Sequence, residues 1–462
     1  MLGLLALGAA SFAAVSSATP RSPARTARQA IAVCPISGPR VVFPQSSPFR
    51  RSGPGAVVWG GATDGHGCGP THPPTLAPIT SNDLLGSPRA LSEAAASVAT
   101  AAATTRGQVV VALDERPGKS GKRTLALTEA RADRAFPTAR PLAGASSPPP
   151  ATATGYLGDF ALARVTASRA GTSHSHAMSI TLDVQRHFEA NPFLRGVYAV
   201  GSTPVSALGV ALDYRADALL TWVQAGRLLV RFVSASGPAR TTQSLGSAVA
   251  SAPPAALISD DGRAIVAWVS QRARTNGSRR DTDVYLSISG PGARFAAPRL
   301  VEHFSEPSAS TLPRPRADLV RLSNESVTMA WTGLYRSEHY VVRSAAVGLN
   351  AMGHITTLSD PRADALLGPL VAGPRADALA LWSSPNHASP GTNLDGRLFV
   401  SSFKHVRLGP LVHLAGPGRY ADPAAAFDPA SDRALVAWRA DDSPAGPQYA
   451  RLAPLVAAHQ GG

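Results

Sequence analysis

The densest group of chemically capable side chains is Arg272, Arg274, Arg279 and Arg280, four guanidiniums within nine residues. Planar guanidiniums this close bind carboxylates or phosphates through paired N–H donors, so the segment predicts an anion-binding element. The competing expectation for so polar a stretch is a solvated, disordered loop. His174-Ser175-His176 places two imidazoles on the same side of an extended chain, the start of a metal pair with no third ligand beside it. His387 lies in another polar stretch, Ser383–Arg397. Cys34 and Cys68 are the two cysteines, an even count that in an exported chain reads as a disulfide. Such a bridge would close a loop of about 34 residues and contribute on the order of 3–4 kcal/mol. The alternative is a metal site, since Asp64, His66, Cys68 and His72 fall within nine residues, but their spacing matches no zinc pattern. No metal or cofactor is therefore expected.

The elements that must hold these residues show in a repeat. Ser259–Trp268 reads as a polar turn, Asp260-Asp261-Gly262-Arg263, followed by a short apolar run ending in Trp. An Asp-Gly pair between apolar runs predicts a tight primed hairpin turn. Similar runs end at Trp59, Trp222, Trp331, Trp382 and Trp438, which completes the six tryptophans, and Leu113 and Arg164 occupy the same slot in two further copies. The eight slots recur about every 54 residues, a period of propellers and solenoids. Around each slot the sequence offers four short strands, as a propeller blade requires. The slot-bearing runs are apolar at nearly every position, the pattern of a strand buried on both faces. Runs of five residues bounded by Gly, Asp and Pro are too short for a stack of helices. The expectation is an all-β propeller of four-stranded antiparallel blades, with about eight units and seven or eight blades. Ala94–Thr105 stays open between helix, by its alanine content, and strand, by its position.

Antiparallel blades sort the connections. Turns between first and second strands emerge on one face, and connections between second and third strands emerge on the other, with those between blades. The first set is short: Asp213–Asp217, Asp260–Arg263, Asn324-Glu325, Pro374–Asp377 and Ser431–Arg433. Several contain Arg-Ala-Asp, read here as turn chemistry. The second set is long and irregular: Gly60–Pro74, Val165–Ala177, Val269–Asp281 and Ser383–Arg397, which together carry the arginines and histidines above. Irregular connections on a rigid scaffold are where binding tends to reside. The final unit stops after three strands, so Val41–Pro44 is expected to complete it and close the ring; its alternative place is the first blade.

Composition bounds the rest. Residues 2–15 form an apolar stretch too short to span a bilayer, followed by Ser16-Ser17-Ala18, so residues 1–18 read as a signal peptide without the usual basic start. Residues 19–40 read as a flexible Pro- and Arg-rich segment, 41–455 as the propeller and 456–462 as a disordered tail. The protein is expected to be secreted, extracellular and monomeric. Its formal charge of +14 comes almost wholly from arginine, 41 of 44 basic residues, scattered singly in a Gly-, Ala- and Pro-rich chain. No stacked-aromatic, finger or helix-turn-helix pattern accompanies it, which argues against nucleic acid. An anionic extracellular glycan or protein is the expected partner.

In its repeat, leader and composition the chain resembles secreted bacterial β-propellers, including those grouped with sialidases. Ser259-Asp260-Asp261-Gly262 begins like a sialidase Asp-box, but the aspartate precedes the glycine directly and Trp268 lies too far on. The resemblance implies an arginine triad for a carboxylate and a tyrosine activated by a glutamate, for which Tyr335–Tyr340 with Glu338 is the candidate. No Ser-His-Asp elbow, phosphate loop or His-Glu-x-x-His motif occurs. The leading expectation is a non-catalytic propeller binding a partner through the long-connection face. The alternatives are a carbohydrate-active enzyme, sialidase-like or lyase-like, and a structural protein of the cell envelope.

Overall fold

The computed structural model describes residues 36–452 apart from 44–53, 62–72, 116–123, 143–147, 170–175, 186–193, 308–314, 386–391, 441–447 and shorter gaps in the connections. Within the described residues there is no helix, and so none long and apolar enough to cross a membrane. Every sheet is an antiparallel meander whose strand order follows the chain. Seven have four strands and form the blades of a β-propeller, and the last has three. The blades span Ile36–Ala90, Ala96–Leu142, Ala151–Gly201, Val205–Ser247, Ala255–Pro307, Ala317–Thr357 and Leu366–Gly418, followed by the three-stranded sheet Tyr420–Leu452.

The slot residues all lie on second strands, and the six tryptophans there are buried. Each Trp crosses the seam to the preceding sheet. Trp268 shares a cluster with Leu219 and Val223 of blade 4, Trp331 with Ile265 and Val284 of blade 5, and Trp382 with Ala330 and Val342 of blade 6. Trp59 of blade 1 meets Leu435 and Ala437 of the three-stranded sheet, so the ring closes through the same contact. Arg164 takes a slot for a different reason: it is buried and ion-paired with Asp183 on the neighbouring strand.

The closure differs from the sequence expectation. Ile36–Val42 pairs with Ala56–Gly61 inside blade 1, and the last sheet keeps three strands. Val41 packs into the cluster with Leu435, whereas Val42 packs into the one with Leu113 of blade 2. Two consecutive buried residues facing opposite neighbours suit an innermost strand wedged between sheets. The strand begins at Ile36, inside the stretch read as flexible. Ala96–Ala103 is the first strand of blade 2, so pairing with Gln108–Glu115 overrides its helix propensity.

The short turns share one closing hydrogen bond. In Thr104–Gln108, Gly155–Asp159, Asp213–Asp217, Ser259–Arg263, Leu322–Ser326 and Gly373–Asp377 the first N–H donates to the fifth carbonyl at 2.8–3.0 Å. The fourth residue is left-handed where it is described: Gly107, Ala216, Gly262 and Ala376 have φ of 76°, 64°, 78° and 60°. This is a three-residue loop with a single left-handed position, not the two-residue primed turn expected from Asp-Gly. Asp213 Oδ1 accepts from the N–H groups of Arg215 and Asp217, both at 2.8 Å, which is the predicted turn chemistry.

Candidate binding face on blades 5 and 6

The segment expected as a loop is largely strand. Ala264–Ala273 pairs with Arg279–Ser289 up to Ala273↔Arg280, and the outer strand Arg299–Pro307 follows alongside as far as Arg279↔Pro307. Arg272, Arg279 and Arg280 therefore sit on a three-stranded ribbon, and Arg274 opens its turn by donating its N–H to Arg279 O at 2.9 Å. Gly277 supplies the left-handed residue of that turn, with φ of 68°. Blade 4 makes the same connection in two residues, Ala225-Gly226, so the ribbon is a projection peculiar to blade 5 in that pair.

Strand alternation divides the ribbon into two polar clusters. On the face shared with Trp268, Asp283 is 7% exposed at its side chain; Oδ1 lies 2.6 Å from His303 Nδ1, and Oδ2 accepts from Tyr285 at 3.2 Å and Arg272 at 3.4 Å. Tyr285 stacks on Trp268 at 5.4 Å. Burial, followed by the Asp283 charge, pushes the Tyr285 hydroxyl up from its ordinary value. Farther out, Asp281 accepts from Ser305 Oγ at 2.9 Å and from Arg274 Nε at 2.9 and 3.1 Å. The Ser305 bond first, and then Arg274, hold the Asp281 carboxyl below the usual range against the opposing effect of desolvation. Arg279 turns its guanidinium onto Ser305 O at 2.6 Å.

The opposite face of the ribbon enters the seam with blade 6. Glu306, 2% exposed, accepts from the Tyr340 hydroxyl, from Gln271 Nε2 at 2.7 Å and from Thr282 Oγ1 at 3.1 Å, with Arg280 3.9 Å away. Glu302, two positions down the same face, accepts from Trp331 Nε1 at 2.5 Å and Arg343 Nη1 at 2.8 Å. The Tyr–Glu contact expected within Tyr335–Tyr340 thus forms between Tyr340 and Glu306, across a blade boundary. Tyr335 instead lies under the Arg336 guanidinium, and the Glu338 N–H closes a turn on Tyr335 O.

Of the residues singled out in the sequence, the structure gathers the four arginines and interleaves them with Asp281, Asp283 and Glu306. The local field is that of a mixed-charge surface rather than of four free cations. His176 begins the third strand of blade 3, while His174, His387, Cys34 and Cys68 lie outside the described residues. Among the described residues no group of three or more His, Cys, Asp or Glu could hold a metal ion. Sequence reading missed Glu302, His303 and Glu306, although Val301-Glu-His-Phe-Ser-Glu306 alternates acids with His303 and Ser305 as an outer strand exposed to two environments does. It missed, too, a recurring cross-strand pair between third and outer strands: Asp183–Arg195 in blade 3, Asp283–His303 in blade 5 and Asp395–His413 in blade 7, at 3.1, 2.6 and 2.7 Å.

No family model matches the chain, and no curated protein matches it. Among solved structures it is similar to the polysaccharide lyase Uly1, at 11% identity over 76% of this chain and 88% of that one, with a TM-score of 0.43. It is similar to the Hadza microbial sialidase Hz136, at 12% identity over 92% and 91%, with a TM-score of 0.36. The fucose-specific lectin from Aleuria aurantia matches at 12% identity over 67% and 92%, with a TM-score of 0.31. These are likenesses of strand architecture, and the functional reading rests on the site.

Proposed function

We propose that the protein is a secreted, non-catalytic propeller that binds an anionic glycan or protein through the face bearing the blade 5 ribbon. One observation carries this reading: Arg272, Arg274 and Arg279 stand at the exposed end of a paired ribbon, each with one edge held by a carboxylate or carbonyl. Arg272 is 74% exposed at its side chain, so its remaining N–H donors face solvent. Guanidiniums fixed in this way lose little side-chain freedom on meeting a carboxylate or sulfate. The acid–hydroxyl pair that catalysis would call on supports binding over chemistry, because Tyr340 and Glu306 are 6% and 2% exposed and engaged with each other. The apolar leader and the cysteine pair support export.

A second reading, a carbohydrate-active enzyme, draws on His303. Its side chain is 51% exposed, and with Nδ1 against buried Asp283 it turns Nε2 outward as a general base would. The deciding experiment incubates the protein with sialosides, uronates and cell-wall polysaccharides, following retention by affinity electrophoresis and chain length by mass spectrometry. Sialoside retention that disappears in the Arg272→Ala/Arg279→Ala double variant, without shortened products, is the expected result. The thermal transition should stay nearly unmoved, since exposed ion pairs contribute about 0–1 kcal/mol. Shortened products that vanish in His303→Ala would replace binding with catalysis.

A further inference from the structure

On the opposite face, between blades 4 and 5, lies a cleft of about 570 Å³ that plays no part in the reading above. Its walls come from the connections between third and outer strand in the two blades, through Ser234, Gly237, Arg240 and Thr241 of one and Ala293 and Arg294 of the other. Its floor is apolar: Phe232 and Phe295 are half-buried and packed on the cluster that contains Trp268. Its walls are tied together by a reciprocal amide pair, Gln243 Nε2 donating to Phe295 O and Phe295 N donating to Gln243 Oε1, both at 3.0 Å. The pair holds the Phe295 backbone against the outer strand of blade 4.

Two exposed arginines stand at the rim, Arg240 and Arg294, and neither meets a carboxylate among the described residues. This contrasts with the ribbon, where acids are interleaved with the arginines. Asp260 and Asp261 of the adjoining turn are already taken by Arg321 and Arg263. Arg240 is positioned: its N–H donates to Phe232 O at 2.9 Å, and its guanidinium stands 5.8 Å from the Phe232 ring centre. It rests over Gly292, where a Cβ would come within 2.6 Å of Arg240 Nη2 and where φ is 58°. Thr241 adds an exposed hydroxyl at the same rim.

Two uncompensated guanidiniums above an aromatic floor, in a volume within the ordinary range for small-ligand sites, define a ligand with a carboxylate and a ring with an apolar face. We infer that this cleft binds a uronic-acid residue of an acidic saccharide. The carboxylate meets Arg240 and Arg294, the C–H face of the pyranose lies on Phe232 and Phe295, and ring hydroxyls reach Thr241. The exposed rim leaves room for the chain to continue on either side.

Calorimetric titration and saturation-transfer NMR of the full chain with glucuronate, glucose, acetate and benzoate test the assignment. Glucuronate should bind saturably, with glucose and acetate at least about tenfold weaker, and Arg240→Ala and Arg294→Ala should each cost about tenfold, as expected for one charge-assisted contact. Gly292→Ala, which keeps both arginines but displaces Arg240, should weaken binding as well. Equal binding of glucose, tighter binding of benzoate, unchanged affinity in the Arg240→Ala/Arg294→Ala double variant or no saturable binding would each overturn the proposal.

Discussion

The two faces of the ring solve different problems. On the short-turn face, six blades close the chain with the same hydrogen bond from first N–H to fifth carbonyl, and in the four turns whose fourth residue is described that residue is left-handed, a local requirement. On the other face, the connection between second and third strands ranges from two residues in blade 4 to a projecting ribbon in blade 5. What fixes the ribbon is not a turn but cross-strand and cross-blade pairing, with Glu306 drawing donors from three strands. A repeat can copy a local solution along the chain, whereas a tertiary one has to be assembled separately at each seam.

This contrast can be broken first at Glu306. Replacement by alanine removes the buried carboxylate to which the Tyr340 hydroxyl, Gln271 and Thr282 all donate, and should cost about 3–5 kcal/mol. Denaturant titration reads this directly, and a loss under about 1 kcal/mol would show that the seam does not depend on its polar network. A smaller effect is expected at the left-handed turn position. Gly262→Ala should destabilise by about 1 kcal/mol, whereas Ala216→Gly and Ala376→Gly should stabilise by up to about the same amount, because an L side chain is strained there. Matching shifts of opposite sign in the melting temperature would sharpen the view of these turns as one local device; shifts of the same sign would dissolve it.

The smallest effect is a pH dependence. Burial, outweighing its backbone hydrogen bonds, pushes the Asp213 carboxyl above its ordinary value. A raised folded pKa means that the folded state holds the proton more tightly than the unfolded chain. Its contribution to stability is therefore full below the unfolded carboxylate range and is lost as pH rises through the folded value. Wild type should gain stability over Asp213→Asn as pH falls through that window, and parallel pH profiles for the two proteins would count against the buried charge.

How much of this was legible varies with the range of the interaction. The slot tryptophans announced the blades because a residue buried between two sheets is apolar in every copy but the one that holds Arg164, and the turn aspartates announced the hairpins because they bond to backbone two to four residues away. Arg279-Arg280-Asp281-Thr282-Asp283, by contrast, reads as a polar loop. Its strand character comes from Ser305, Glu306 and the outer strand, more than twenty residues on. Val41-Val42 misled in the same way: two adjacent valines suit either end of the ring, and only the packing of Val41 on Leu435 and of Val42 beside Leu113 distinguishes them.

The sequence by itself determined an all-β repeat, the slot in each second strand and the place of the short turns, because burial on both faces and turn-forming aspartates and glycines restrict residue type locally. The tertiary structure alone decided where the ring closes, which carboxylates meet the ribbon arginines, and that Arg240 and Arg294 meet none among the described residues. Those outcomes depend on contacts between blades, where a long polar side chain has many partners of equal chemistry and only position selects among them.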